Sequence, residues 1–147
     1  MFVLDTNVVS ELRRAKAGKA DKKVTAWAAG VPAGAMFLSA VTVLELEIGV
    51  LLVERRDLAQ GAMLRAWLDS YVLPAFAGRV LAVDTTVAQR CARLHVPDPR
   101  SARDALIAAT ALVHGMTVVT RNVADFEPTG VPLLDPWNTS EESKARP

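Results

Sequence analysis

The stretch Phe2-Val3-Leu4-Asp5-Thr6-Asn7-Val8-Val9-Ser10-Glu11-Leu12 decides the fold. Its three leading apolar residues read as a short buried strand. Asp5 ends that strand, and apolar residues then recur at helical spacing, with Thr6 or Asn7 available to cap a helix over 6–14. A strand running straight into a helix is the first half of a crossover unit, and the rest of the chain repeats the pattern. Further strands are expected at 35–39, 80–83 and 116–120, with 132–134 as a short fifth. Helices are expected over 24–29, 41–55, 58–71, 85–95 and from Ser101 to His114, where Gly115 serves as a C-terminal cap. Residues 15–23 are polar, small and basic, and read as a linker. The result is an α/β fold: a mostly parallel sheet with helices on both faces. Neither an internal repeat nor a second domain is visible. Residues 1–136 form one expected domain and 137–147 a polar tail.

The chain has 147 residues, 51% of them hydrophobic, enough for one substantial core. Net charge is +1, from 17 basic and 16 acidic residues, so only a local patch could mark a nucleic-acid surface. Cys91 is the single cysteine, which excludes an internal disulfide and suits a reducing compartment. The start meets an acid at Asp5 and lacks a basic leader, and Glu45 and Glu47 interrupt the most apolar long stretch. No signal peptide and no membrane span are expected, and the expected location is the cytoplasm.

Four acids occupy positions where open α/β sheets place their sites, beyond the carboxyl ends of strands. Asp5 follows the first strand, and Glu45 lies early in the helix after the second. Asp104 is in the first turn of its helix, and Asp125 lies just past the fourth strand. Taken singly, each has a plain explanation: a helix cap at Asp5, a solvated acid at Glu45, a capping box of Ser101 with Asp104, a turn at Asp125. Glu47 serves as a control, because at helical pitch it points roughly 160–200° away from Glu45 and should be solvated. Gly49 lies one turn after Glu45 and leaves room beside it. Together the four acids would repel one another, and a hard divalent cation such as Mg²⁺ or Mn²⁺ relieves the conflict. Cys91, His95 and His114 are too few and too scattered for zinc.

The order of these motifs resembles the PIN-domain ribonucleases, and among them the VapC/FitB-type toxins of toxin–antitoxin modules. The resemblance is carried by Val3–Leu12, by Ser39–Leu46 with Gly49, by Asp104–Ala111, and by Thr120-Arg121-Asn122 with Asp125-Phe126. It spans roughly residues 1–136, and four motifs in order are specific where one would be weak. It implies a three-layer α/β/α sandwich in which Asp5, Glu45, Asp104 and Asp125 are catalytic and hold Mg²⁺ or Mn²⁺. Thr6, Asn7, Thr120 and Asn122 would support that site. Many relatives carry Asp where this chain has Asn122, which implies one tightly held metal and a second arriving only with substrate. The implied reaction is endonucleolytic hydrolysis of RNA, as the toxin of a type II pair. The implied partners are a cognate VapB-like antitoxin and a second copy of the chain.

Arg103 and Arg121 flank the expected site and are candidates for substrate phosphate. Arg13, Arg14, Lys16, Lys19, Lys22 and Lys23 form a basic cluster that reads foremost as a solvated linker. No aromatic platform for base stacking stands out. Leu44, Ile48 and Leu51 are expected on one buried stripe. With Leu52, Trp67, Leu68 and Tyr71 they offer more apolar surface than one small sheet needs, and part of it is expected at a dimer seam or antitoxin groove. A haloacid-dehalogenase-type phosphatase would need an Asp where Asn7 stands. A receiver domain would use Asp84 and leave the other acids unexplained. The alternative from another class is a regulatory module that binds an antitoxin and acts with it on DNA, with weak catalysis.

Overall fold

In the computed structural model, residues 1–138 are described. Five short strands form one parallel sheet in the order β3-β2-β1-β4-β5. They are β1 (Phe2–Leu4), β2 (Met36–Ser39), β3 (Val80–Leu81), β4 (Thr117–Val119) and β5 (Leu133–Leu134). The helices are α1 (Thr6–Arg13), α2 (Lys22–Ala29), α3 (Ala40–Arg56), α4 (Leu58–Trp67), α5 (Leu73–Ala75), α6 (Thr85–Leu94), α7 (Ala102–His114) and α8 (Val123–Phe126).

Successive strand residues point to opposite faces, and the core divides accordingly. Val3, Phe37, Val118 and Leu133 pack with Ile107, Ala108 and Ala111 of α7 and with Phe126 of α8. Phe2, Leu4, Met36, Leu38 and Val119 pack on the other face with Val8 and Val9 of α1, Leu46 and Val50 of α3, and Leu68 and Val72 beyond α4. The sheet is therefore covered on both sides, as a parallel sheet requires. A third small cluster, with Val87 and Cys91, fastens α6 onto Ala105 and Ala109 of α7.

Several boundaries differ from the sequence reading. The expected 58–71 helix stops at Trp67 and continues as a wide π turn, Leu68–Val72, before α5. The 15–23 linker is ordered: a 3₁₀ turn covers Arg14–Ala17, and Asp21 caps α2 by accepting from the Lys23 and Val24 N–H groups. Asp21 N–H itself donates to Glu11 at 2.8 Å, which fastens this connection to α1. The inward stripe of α3 is Thr42, Leu46 and Val50, while Leu44 and Leu51 are 50% and 57% exposed. Side chains four apart in a helix share a face, so the stripe begun by Thr42 leaves Leu44 outward. Pro136–Asn138 forms a 3₁₀ turn whose Trp137 packs on the α1 side of the core; the remainder of the expected tail lies outside the described residues.

Candidate metal and nuclease centre

Strand order reverses between β1 and β4, because the chain moves one way from β1 to β2 and β3 and the other way from β4 to β5. The crevice at such a switch point is where open α/β sheets bind ligands. Asp5 stands at its β1 side and Thr120 at its β4 side. Asp5 N–H donates to Val119 O at 2.9 Å, so the ladder continues one residue past both strands and brings these two positions together.

Asp5 is 5% exposed, and its carboxylate accepts three hydrogen bonds. The Thr6 N–H reaches Oδ1 at 2.8 Å; Thr120 Oγ1 and Asn7 Nδ2 reach Oδ2 at 2.8 and 3.2 Å. Asp5 is also the N-cap of α1, as its plain reading as a helix cap expected; Thr6 and Asn7, the other candidates, lie inside the helix. Burial raises its pKa above the ordinary carboxylate value; the three donors oppose the rise, and the nearby Asp125 charge adds to it.

Glu45 Oε1 accepts from Thr6 Oγ1 at 2.9 Å, so one threonine contacts Asp5 by its backbone and Glu45 by its side chain. Thr42, a turn earlier on α3 and fully buried, donates to Leu4 O at 3.5 Å and ties α3 to the end of β1. Asp104 lies half-buried in the first turn of α7. Ser101 Oγ accepts its backbone N–H at 3.5 Å, but no hydrogen bond from the Asp104 carboxyl completes a capping box among the described residues. Its pKa is raised by burial first and then by the charges of Asp5, Asp125 and Glu45. Asp104 therefore lies within electrostatic reach of the other three acids. Asp125 is exposed near the start of α8, where its N–H donates to Asn122 O at 3.1 Å.

The supporting residues form a small network around Thr120. Its hydroxyl also accepts from Asn122 N–H at 3.0 Å and from Asn7 Nδ2 at 3.4 Å, while Asn7 Oδ1 accepts from Arg121 N–H at 3.2 Å. The two flanking arginines behave differently. Arg103 stands 3.9 Å from Glu45 Oε2 and partly offsets the acids. The Arg121 guanidinium lies over the Trp137 ring, 5.2 Å from its centroid.

Glu47 does face away from Glu45, but the expectation that it is merely solvated is corrected. Arg65 of α4 donates to both its carboxylate oxygens at 3.0 and 2.8 Å and to Glu54 at 3.0 Å. The basic cluster is exposed, as a solvated segment would be, but it is ordered and three of its six residues have partners. Arg14 pairs with Glu11 at 3.5 Å, Lys16 sits over the Tyr71 ring, and Arg13 lies over Trp67. The Arg14–Glu11 pair has helical i,i+3 spacing, whereas position along the chain offered no sign of the others, because each joins separate elements.

The donor set at the crevice is all oxygen and mostly carboxylate, and two of its members are held above their ordinary pKa. This is the chemistry that a hard divalent cation relieves. No three acidic, histidine or cysteine side chains close into a ready-made cage among the described residues. An open set of this kind suits Mg²⁺, which keeps several waters and takes one or two carboxylates directly.

The match to the PIN domain covers residues 2–127. The chain belongs to the PIN-domain family. The VapC ribonuclease Y4jK of Sinorhizobium fredii is 39% identical over 145 residues, covering 93% of this chain and 98% of that protein. The toxin FitB of Neisseria gonorrhoeae is 36% identical over 144 residues, covering 94% of this PIN domain chain and 99% of the toxin. The crystal structure of FitAcB from Neisseria gonorrhoeae shares its fold with a TM-score of 0.85 at 35% identity, over 95% of this chain and 100% of that one. The structure of FitAB bound to an IR36 DNA fragment matches with a TM-score of 0.84 at 34% identity, over 95% and 98%. These relatives support a nuclease of the VapC/FitB toxin type.

Proposed function

We propose that this PIN domain, residues 1–136, is a divalent-metal-dependent endoribonuclease that acts as the toxin of a type II toxin–antitoxin pair. The observation that carries the reading is the join at the switch-point crevice: Thr6 contacts both Asp5 and Glu45, Thr120 holds Asp5 from the β4 side, and half-buried Asp104 has a pKa raised by burial and by the charges of the other acids. Asp5 and Asp104 would hold Mg²⁺ or Mn²⁺ directly, and Glu45 and Asp125 would complete its shell or orient the attacking water. The bound ion would supply Lewis acidity toward a phosphoryl oxygen and a lowered pKa for bound water.

The chain's own residues supply positioning. Three donors lock the Asp5 carboxylate in one rotamer, and Thr6 holds Glu45 relative to it. Arg103 tempers the repulsion at Glu45 and would offer its exposed guanidinium to a substrate phosphate. Arg121 is presented at the Thr120 side of the crevice by its stacking on Trp137. Such fixed geometry and charge account for most of what a phosphodiesterase site contributes.

Exposed apolar residues of α3, among them Leu44, Leu51 and Leu52, suit a homodimer seam and a VapB-like antitoxin. No helix among the described residues is long and apolar enough to cross a membrane. Purified, antitoxin-free protein should cleave RNA with Mg²⁺ or Mn²⁺ and stop with chelator. Asp5→Ala and Asp104→Asn should abolish cleavage with the protein still folded. Unchanged metal-dependent cleavage by either variant refutes the assignment.

A further inference from the structure

Two helical stripes lead away from the acid cluster and face one another. On α1, Thr6, Ser10 and Arg13 follow at intervals of four and three residues; on α3, Gly49 follows Glu45 by four. Between them lies an open trough of about 270 Å³, floored by Leu46 and Val50 and closed at its far end by Trp67 of α4. Its near end is the acid cluster itself, since Thr6 and Glu45 belong to both and are joined by a 2.9 Å hydrogen bond. At its far end the Arg13 guanidinium lies 5.9 Å from the centroid of the Trp67 ring. Arg13 is exposed and makes no ion pair among the described residues. A Cβ at Gly49 would meet nothing within 4 Å, so the wall opposite α1 is open by the width of a side chain.

We infer that this trough is a nucleotide subsite, which seats one unstacked nucleotide of single-stranded RNA beside the bond that is cut. The inference rests on the ribonuclease reading above. At about 270 Å³ the trough falls just below the roughly 300–1,000 Å³ range of small-molecule sites, and being open it suits one nucleotide and excludes a duplex. Its chemistry matches that occupant from end to end. Arg13 offers a permanent, planar cation to a phosphate, and the Trp67–Arg13 pair offers a π-face to a base. The Ser10 hydroxyl offers a donor and an acceptor to the sugar or base edge. A purely apolar peptide segment would leave the Arg13 charge and the Ser10 hydroxyl without polar partners, which disfavours it as the occupant.

Two substitutions test the trough without touching the acids. Gly49→Leu fills it from a helical position with open space, and Arg13→Gln removes the cation from an exposed one. The probes are 5′-labelled single-stranded RNA decamers in which the bases on either side of the cut are varied in turn. Binding is read by fluorescence anisotropy in chelator, and cleavage in Mg²⁺. Wild-type protein should bind the decamers about tenfold or more tightly than either variant, the scale of losing one stacked base or phosphate contact. KM should rise by a similar factor, kcat should change little, and preference for the flanking base should flatten. The Gly49→Leu melt should match or exceed the wild type, and the Arg13→Gln melt should fall only by the loss of one exposed cation–π contact, a few degrees at most. Wild-type binding and base preference in both variants would overturn the inference. So would variants that bind RNA normally and lose only their inhibition by an antitoxin peptide, which would assign the trough to protein. Absence of cleavage by the wild type would sink the proposed reaction, while the binding comparison in chelator still decides the trough.

Discussion

Gly61→Ala should destabilise this protein although it replaces a poor helix former with the best one. Gly61 sits in α4 where that helix meets α3. A Cβ there would stand 2.5 Å from Glu54 Cα, 2.6 Å from Glu54 Cγ and 2.9 Å from Glu54 N. Carbon atoms in contact prefer about 3.5–4.0 Å, and two of these three neighbours are backbone, so the helices must part by on the order of 1 Å. Overpacking of that kind costs about 1–3 kcal/mol. Helix propensity returns about 0.5–1 kcal/mol. Separation also pulls Arg65 away from Glu47 and Glu54, which it bridges between α4 and α3. The net loss should be about 1–2 kcal/mol, a fall in Tm of roughly 2–8 °C at this chain length. Gly49→Ala is the matched control, since nothing lies within 4 Å of its new methyl. It should gain about 0.5–1 kcal/mol and raise Tm. Urea melts on both variants provide the free energies at constant m-value. A Gly61→Ala protein as stable as Gly49→Ala would refute the close approach of the two helices.

Asp104→Asn should raise the metal-free Tm at neutral pH. Sign follows from linkage: the raised pKa values of Asp5 and Asp104 mean that the folded protein holds more protons than the unfolded chain. Stability from these groups is full below the ordinary carboxylate value, falls as pH climbs through the raised folded values, and then stays low. Melts across that window should show the fall in wild type and a shallower one in Asp104→Asn. Mg²⁺ at about a hundred times its Kd should stabilise wild type by about 2.7 kcal/mol and leave Asp104→Asn nearly unmoved, as scanning calorimetry can record. Asp21→Ala removes a cap that accepts at 2.8 and 3.2 Å and should cost about 1 kcal/mol in a denaturant melt.

The fold was legible because each strand announces its own covering. Phe2-Val3-Leu4 is apolar on both faces, which only a sheet covered on both sides tolerates, and the structure sends Val3 to one core and Leu4 to the other. The acids were legible for a related reason: Asp5, directly after a buried strand, has few places to go except the crevice. What stayed hidden is contact between elements far apart in sequence. Helical period alone does not fix which stripe of α3 faces inward, because Leu44, Ile48 and Leu51 are as periodic as Thr42, Leu46 and Val50. Thr42 wins its buried place through the 3.5 Å bond to Leu4 O. Helical pitch separates Glu47 from Glu45, but it gives no sign of Arg65, which arrives from another helix to claim Glu47. The pairing of Arg13 with Trp67 depends on where α4 lies over α1, which a linear reading does not contain.

Asp5 and Asp104 share a raised pKa but not a cause for staying in place, and this decides which variant best tests the proposed reaction. Asp5 is a helix cap and the hub of three hydrogen bonds, so its removal strands the Thr120 hydroxyl and frees the first turn of α1. A dead Asp5→Ala protein is therefore open to a structural explanation, since loss of a cap alone costs about 0.5–2 kcal/mol. Asp104 has no such ties: its backbone is capped by Ser101, its carboxyl has no hydrogen bond among the described residues, and burial and the charges of the other acids raise its pKa. Removing its charge relieves the fold while taking a ligand from the proposed ion. A variant that is more stable and inactive cannot owe its inactivity to misfolding. That combination of opposite effects at one residue is what a structural acid would not produce.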